Sequence, residues 1–450
     1  MAIRRQRKPL PQDPVRVEIE SLTHDGRGIA RIEGIPVFIH GALPGEEVSF
    51  LYTDRRRDFR EGKTLEVHRA APHRVEPPCP SYGICGGCSF QHVRDDAQIE
   101  IKQALLVEQF HRVAKLTDIA LFEPMTGPGW GYRQKARLGV KFVIKKGRVL
   151  VGFRERSTPF VADLRGCPVL DPRVGAHFED LAKLIEGLSI RDRVPQIEVA
   201  MGDTATALVF RILEDLTPSD EAALIAFGEE FDLAIEVQRQ GPESVRALYR
   251  PRDEDLSYEL PDEGIHFRFK STDCTQVNMA INRKMVARVM ALLDPGPNDR
   301  VLDLFSGIGN FTLPLAKRVR SVVGVEGSET AVRRALENAE SHQLHNIECY
   351  AQDLTKSLAD CSWAKGRFDK LLLDPSRAGA LEVLDHIPDW APERIVYVSC
   401  NPSTLARDAG ILVHQQGYRL VGAGVMDMFP QTAHVESIAV FERASPLRSG

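Results

Sequence analysis

The sequence predicts a multidomain α/β protein. A small N-terminal β-barrel precedes a mostly β middle that carries a cysteine-bound inorganic centre, and a Rossmann-like domain follows. Three observations predict this. Short alternating apolar runs punctuated by Gly and Pro fill Val15 to Arg69. Three cysteines crowd into the ten positions from Cys79 to Cys88. Beyond about Asn278, continuous apolar runs alternate with amphipathic helical segments, the pattern of a parallel sheet covered on both faces. At 450 residues the chain is too long for one ordinary core. The divisions are expected near 10–70, 71–270 and 271–450.

The bulk composition excludes several classes. With 43% hydrophobic and 27% charged residues the chain is that of a globular protein. No apolar run approaches a membrane span, so no membrane partner is expected. "MAIRRQRKPL" has charge but no apolar stretch behind it, so a cytoplasmic location is expected. A net charge of −5 does not mark a nucleic-acid binder, but local charge does. "RRQRK" opens the chain and "DRRRDFR" spans Asp54 to Arg60. Tyr132 to Arg156 carries nine Lys or Arg against a single Glu. Interleaved with Tyr132, Phe142 and Phe153, that segment suggests an RNA-facing sheet, although any one charge run suits a solvated face equally.

Each element follows in order. Turn signals at "HDGRG", "EGIP" and "LPGEE" divide the first region into a five-stranded barrel, a shape that often holds nucleic acid. "APHRVEPPCP" is Pro-rich and reads as a linker. Gln98 to Leu116 is amphipathic and helical. Gly127 to about Glu259 is strand-rich, with helical patches at His177 to Leu188 and Ser219 to Phe227. Apolar runs at Val301–Phe305, Val322–Val325, Ile347–Tyr350, Leu371–Leu373 and Ile395–Val398 give five parallel strands. The last segment gives two strands with no helix between them, an antiparallel hairpin at the sheet edge.

The cysteines read as a metal site. Cys79, Cys85 and Cys88 form C-x5-C-x2-C, with glycines that let the backbone wrap tightly. Cys167, also followed by Pro, is the best fourth thiolate. Zinc and an iron–sulfur cluster both suit four cysteines. Zinc sites more often use paired C-x2-C knuckles, so the three-plus-one arrangement favours the cluster. Cys274, Cys349 and Cys361 read as structural.

The first strand of the C-terminal sheet enters a glycine turn, "VLDLFSGIGNFTLPLA". The third glycine of a dinucleotide fingerprint is absent, with Thr312 in its place. Glu326 ends the next strand, well placed for ribose hydroxyls, and Asp353 ends the third. A nucleoside without a pyrophosphate fits, so S-adenosylmethionine is preferred over NAD. Asp374 and Pro375 end the fourth strand, and Ser376 follows where enzymes that methylate amines carry an aromatic. Cys400 ends the fifth strand on the same rim. A thiolate beside a methyl donor points to a pyrimidine ring carbon. Addition of sulfur to C6 turns C5 into a nucleophile. A base must then remove the C5 proton. Glu436 is the best-placed carboxylate, with His434 as the alternative.

In combination, "TQVN", "DLFSGIGNFTLPLA", "VEGS", "DPSRAG", "SCNPSTLARD" and "HVESIAVFER" resemble the RNA uracil-C5 methyltransferases. The N-terminal barrel resembles a TRAM domain, and the cysteines resemble the [4Fe-4S] site of the 23S ribosomal RNA members. The resemblance implies a class I S-adenosylmethionine-dependent methyltransferase domain. It implies donor contacts from Gln276, Phe305, Asn310, Glu326, Asp353 and Asp374. It implies Cys400 as nucleophile, Glu436 as proton acceptor, and cluster ligation by Cys79, Cys85, Cys88 and Cys167. The implied partner is 23S rRNA, free or in an assembly intermediate, acted on by a monomer. A different 23S uridine or a tRNA uridine is the nearest rival. The barrel and cluster weigh against tRNA, whose enzymes typically lack them. RNA methylthiotransferases combine similar parts but use C-x3-C-x2-C. A non-catalytic RNA-binding protein with a structural cluster is a further alternative. Two departures stand out: Cys274 replaces a usual aromatic, and Ser306 replaces a Cys common in the glycine loop.

Overall fold

A computed structural model describes residues 9–252 and 255–444. The basic run "RRQRK" lies outside the described residues. The N-terminal strands are β1 (Val15–Glu18), β2 (Ser21–Leu22), β3 (Gly28–Ile32), β4 (Ile35–His40), β5 (Glu47–Arg55) and β6 (Arg60–Arg69). Their order is β1-β5-β6-β4-β3-β2. Two hydrogen bonds show that β1 and β2 are halves of one bent strand. Ile19 N donates to Glu46 O and Glu20 N donates to Ile29 O, so the bend carries pairing from β5 across to β3. The result is a closed barrel of five strands, filled by Ile19, Val37, Ile39, Val48 and Phe50. The Pro-rich segment beyond it is anchored, unlike the linker expected there. Wholly buried Glu46 pairs with Arg74 at 2.6 Å and accepts from Leu43 N and Ala71 N.

The middle sheet comprises β7 (Lys135–Val143), β8 (Arg148–Gly152), β9 (Gln196–Met201), β10 (Thr206–Arg211), β11 (Ala234–Gln238) and β12 (Arg246–Tyr249). Its order is β12-β11-β10-β9-β7-β8. Helices Phe178–Glu186 and Pro218–Phe231 cover it through Phe178, Leu181, Ile185, Leu224 and Phe227. Its basic residues are there, but its aromatics are not free to stack. Tyr132 is buried and donates its hydroxyl proton to Pro430 O at 2.9 Å. Phe142 lies under Arg191, 4.9 Å from the guanidinium carbon.

Two segments cross the expected boundary at residue 270. The hairpin β13 (Leu256–Leu260) and β14 (Ile265–Phe269) packs Tyr258 and Phe267 against Val286 and Val289 of the helix Met279–Leu293. The helix Asp95–Gln109 buries Leu105 and Leu106 with Leu405 and Leu412 of the helix Pro402–His414.

The C-terminal sheet contains β15 (Arg300–Leu304), β16 (Ser321–Glu326), β17 (Ile347–Ala351), β18 (Lys370–Leu373), β19 (Arg394–Ser399), β20 (Tyr418–Met426) and β21 (Glu436–Arg443). The order is β17-β16-β15-β18-β19-β21-β20. The first five are parallel, and β21 runs antiparallel between β19 and β20. Alternate residues serve opposite layers, which is why the strands read as unbroken apolar runs. Leu302, Leu371 and Ile395 face one core, while Val301, Leu372 and Val396 face the other. Chain order reverses between β15 and β18, the crevice where such sheets take ligands. Among the described residues no helix is long and apolar enough to cross a membrane.

Candidate active site

The donor half of the site grows out of β15. Its chain leaves the strand at Phe305, which is held at φ +65°, and turns through Gly307 and Gly309. A side chain at Gly309 would stand 2.6 Å from Leu313, so only glycine lets this turn close onto its helix. Glu326, ending β16, accepts from Gly307 N at 3.1 Å and from Ser328 N at 3.0 Å. That fixes its carboxylate beside the turn. Asp353 is exposed and accepts from Thr355 N at 2.9 Å. Asn310 lies at the turn, but its amide is engaged by Asn282 and by the Tyr258 hydroxyl at 2.9 Å. Gln276 is half-buried in the segment leading to the helix Met279–Leu293.

The acceptor half lies at the mouths of β18, β19 and β21. Cys400 follows β19, and Asn401 turns the chain at once. Asn401 Oδ1 accepts from Ser403 N at 3.1 Å, capping the next helix, and Asn401 Nδ2 donates to Arg377 O at 3.0 Å. The half-buried thiol therefore faces a cavity of about 480 Å³. Arg377 and His434 line the same cavity, with His24 and Asp25 from the barrel and Ser89 from the cysteine loop. Arg377 Nη2 lies 3.2 Å from His434 Nδ1.

Electrostatics couple the groups. Burial pushes the Cys400 thiol up to about 11, Glu436 and Asp374 push the same way, and Arg377 opposes them. Burial, then Asp374, raises the Glu436 carboxyl well above the usual carboxylate range. Burial, then Glu326, raises Asp374 to about 7. A crowded set of carboxylates like this favours a cationic ligand. A sulfonium is one.

Cys79, Cys85, Cys88 and Cys167 line one cavity, with Phe153 and Leu164 beside them. Among the described residues no three His, Cys, Asp or Glu converge closely enough to hold a single metal ion. The shared cavity and the donor chemistry nonetheless fit a thiolate-bound group. Gly87 N donates to Cys85 Sγ at 3.4 Å. Burial pushes Cys88 up to about 12 and also raises Cys85 and Cys167. Thiols this reluctant to ionise become thiolates beside an electropositive centre. Cys274, read above as structural, is exposed, while Cys349 and Cys361 are partly buried.

The sequence signalled neither the barrel's share of the cavity nor the ties that brace its back wall. Ser89 Oγ accepts from Ala433 N at 2.8 Å, and Lys102 is buried beneath the β20–β21 connection. Both contacts join residues more than 300 positions apart, which no local pattern could reveal.

Residues 253–444 match the family described as tRNA (Uracil-5-)-methyltransferase, and residues 13–67 match the TRAM domain. A Methylococcus capsulatus protein named 23S rRNA (uracil(1939)-C(5))-methyltransferase RlmD is 55% identical over 443 residues, covering 98% of this chain and 100% of its own. The chain belongs to the RNA uracil-C5 methyltransferase family. An Alkalilimnicola ehrlichii family member of the same name is 54% identical over 98% of this chain and 99% of its own. Among solved structures of the family, Pyrococcus abyssi tRNA (uracil-54, C5)-methyltransferase in complex with S-adenosyl-L-homocysteine aligns with a TM-score of 0.73. Its identity is 25%, over 95% of this chain and 100% of its own. This uracil-C5 methyltransferase acts on tRNA yet spans nearly the whole architecture. Domain layout therefore does not separate the two substrate classes, contrary to the weight placed on the barrel above.

Proposed function

We propose that the protein transfers a methyl group to C5 of one uridine in 23S rRNA, the uridine numbered 1939 in its relatives' names. The observation that carries the mechanism is the meeting of Cys400 and Glu436 on one rim, beside the glycine turn. Cys400 Sγ bonds to C6 of the uracil, and the electron pair released to C5 takes the methyl group. S-adenosylmethionine supplies that methyl group when bound. Glu436 then removes the C5 proton, and the pair from the C–H bond re-forms C5=C6 as the Cys400–C6 bond breaks. Glu326, Asp353 and Asp374 would hold the ribose and cationic parts of the donor. Gln276 and Phe305 would border the donor, and Asn310 would contribute through its backbone.

The substrate assignment is supported by relatives above 50% identity along the whole chain. The barrel (10–70) and the basic middle sheet (within 71–270) would grip RNA largely through phosphates and shape. The target base would be flipped out to reach the 480 Å³ cavity. Cys79, Cys85, Cys88 and Cys167 would hold a [4Fe-4S] cluster that knots the cysteine loop to the middle domain. The protein would act in the cytoplasm as a monomer, on free rRNA or an assembly intermediate. The test uses unmodified 23S rRNA and tritiated methyl donor, followed by mapping of 5-methyluridine. Label confined to position 1939 supports the assignment, and label in tRNA or at another uridine overturns it.

A further inference from the structure

The helix Asp95–Gln109 drives a lysine into the body of the protein. Lys102 is fully buried, and its ammonium donates to Asp427 Oδ1 at 2.7 Å and to Phe429 O at 3.0 Å. Both acceptors belong to the connection between β20 and β21, the segment that brings Ala433, His434 and Val435 to the cavity and leads directly into Glu436. Asp427 directly follows Met426, the cross-strand partner of Glu436. The same connection is already fastened without any charge. Gln98 Nε2 donates to Gln431 Oε1 at 2.9 Å, and Gln98 Oε1 accepts from Gln431 N at 2.9 Å. A buried ammonium is expensive to hold, and an apolar side chain would fill the same space more cheaply. What Lys102 adds is positive charge in a place water does not reach.

Four groups from three parts of the chain face Glu436. Asp374 and Arg377 follow β18, Cys400 follows β19, and Lys102 comes from the helix behind. Asp374 opposes ionisation of Glu436, while Arg377 and Lys102 favour it. Arg377 is exposed, so solvent and salt screen it. Lys102 is shielded from solvent and salt, and its counter-charge is the Asp427 carboxylate at 2.7 Å.

We propose that Lys102 is a positioning residue for the proton-removal step: bonded to Asp427 and Phe429, it sets the β20–β21 connection and keeps a solvent-shielded positive charge behind Glu436, so that Glu436 is ionised when the C5 proton must leave. This rests on the reading of Glu436 as proton acceptor. Proton removal comes after sulfur has bonded to C6, so a weakened base strands the enzyme on methylated RNA.

The test is the double variant Lys102→Met/Asp427→Asn, which removes both charges together and leaves no buried carboxylate unpaired. Turnover is expected to fall about ten-fold, the change that goes with one pKa unit. A denaturant-resistant enzyme–RNA complex accumulates on ordinary uridine RNA with methyl donor, and the acid limb of turnover moves to higher pH. Turnover and covalent complex falling together in the double variant would overturn the proposal, as would a wild-type pH profile. If wild-type enzyme fails to form a covalent complex with 5-fluorouridine RNA, the Cys400 mechanism fails instead, and the two failures are distinguishable.

Discussion

Cys400 and Glu436 lie one residue beyond the last pair of the β19–β21 ladder, Ser399–Ser437, each adjacent to one member of it. Continued one step further, the antiparallel register would set the thiol opposite the carboxylate. Directly opposed residues hold their Cβ atoms about 5 Å apart on the same face. A uracil ring between those side chains would meet sulfur at C6 and carboxylate at C5. Because β21 runs against β19, residues far apart in sequence meet at one mouth.

The first prediction concerns pH. The mechanism needs Cys400 as thiolate and Glu436 as carboxylate. Cys400 stands at about 11, raised by burial and then by Glu436 and Asp374. Glu436 is raised too, by burial and then by Asp374. Both deprotonated forms become more abundant as pH rises. Initial rates at saturating RNA and donor should climb from about pH 6 to about pH 9. A flat profile would mean that neither group is deprotonated on the way to the transition state.

The second concerns stability without donor. Burial raises Asp374 and Asp303 to about 7 from an ordinary 3.8. A carboxyl with a raised folded pKa stabilises the fold fully below its unfolded value, and that contribution is lost as pH rises through the folded value. The thermal midpoint should carry a downward component between pH 4 and 7, and Asp374→Asn should reduce it. An unchanged slope in that variant would contradict the burial of this charge.

The third concerns docking of the barrel. Gly26 sits at φ +84°, where an added Cβ would come within 2.5 Å of the Phe90 ring and 2.8 Å of Ala433. The barrel turn thus presses on both the cysteine loop and the active-site loop. Gly26→Ala should cost about 1–3 kcal/mol and lower methylation with it. Wild-type stability together with wild-type activity would show that this contact does not hold the cavity together.

The sheet was legible because its strands are buried on both faces. Val322 to Val325 and Ile395 to Val398 read as unbroken apolar runs, and the turn after Leu304 announced itself by its glycines. Cys400 was legible through its neighbours, since Asn401 and Pro402 mark a strand end and a helix start. What stayed hidden depends on long-range packing. Nothing within the helix expected over Gln98 to Leu116 marks Lys102 as buried, yet it is buried against Asp427 from the far end of the chain. Tyr132 looked like an RNA-stacking aromatic but donates to Pro430 O. Asn310 looked free for the donor, whereas Asn282 and Tyr258 claim its amide. Side-chain partners of this kind are not encoded within any local window.

The fourth prediction concerns the cysteines. Cys88 shares its cavity with Cys79, Cys85 and Cys167, and its neighbour Ser89 accepts from Ala433 N. Cys88→Ser should reduce bound iron and lower the thermal midpoint, since thiolate–metal bonds add directly to folding free energy. Methylation should fall as the loop loosens its hold on Ala433. Full iron content in the variant would exclude Cys88 as a ligand.

The most direct test of the central claim is a covalent trap. RNA carrying 5-fluorouridine at the target has no C5 proton for Glu436 to remove, so a sulfur–C6 bond once formed persists. With methyl donor present, wild-type protein should run as a denaturant-resistant RNA complex, and Cys400→Ala should give none. A complex of equal yield from Cys400→Ala, or none from wild type on RNA that it methylates, would contradict the account.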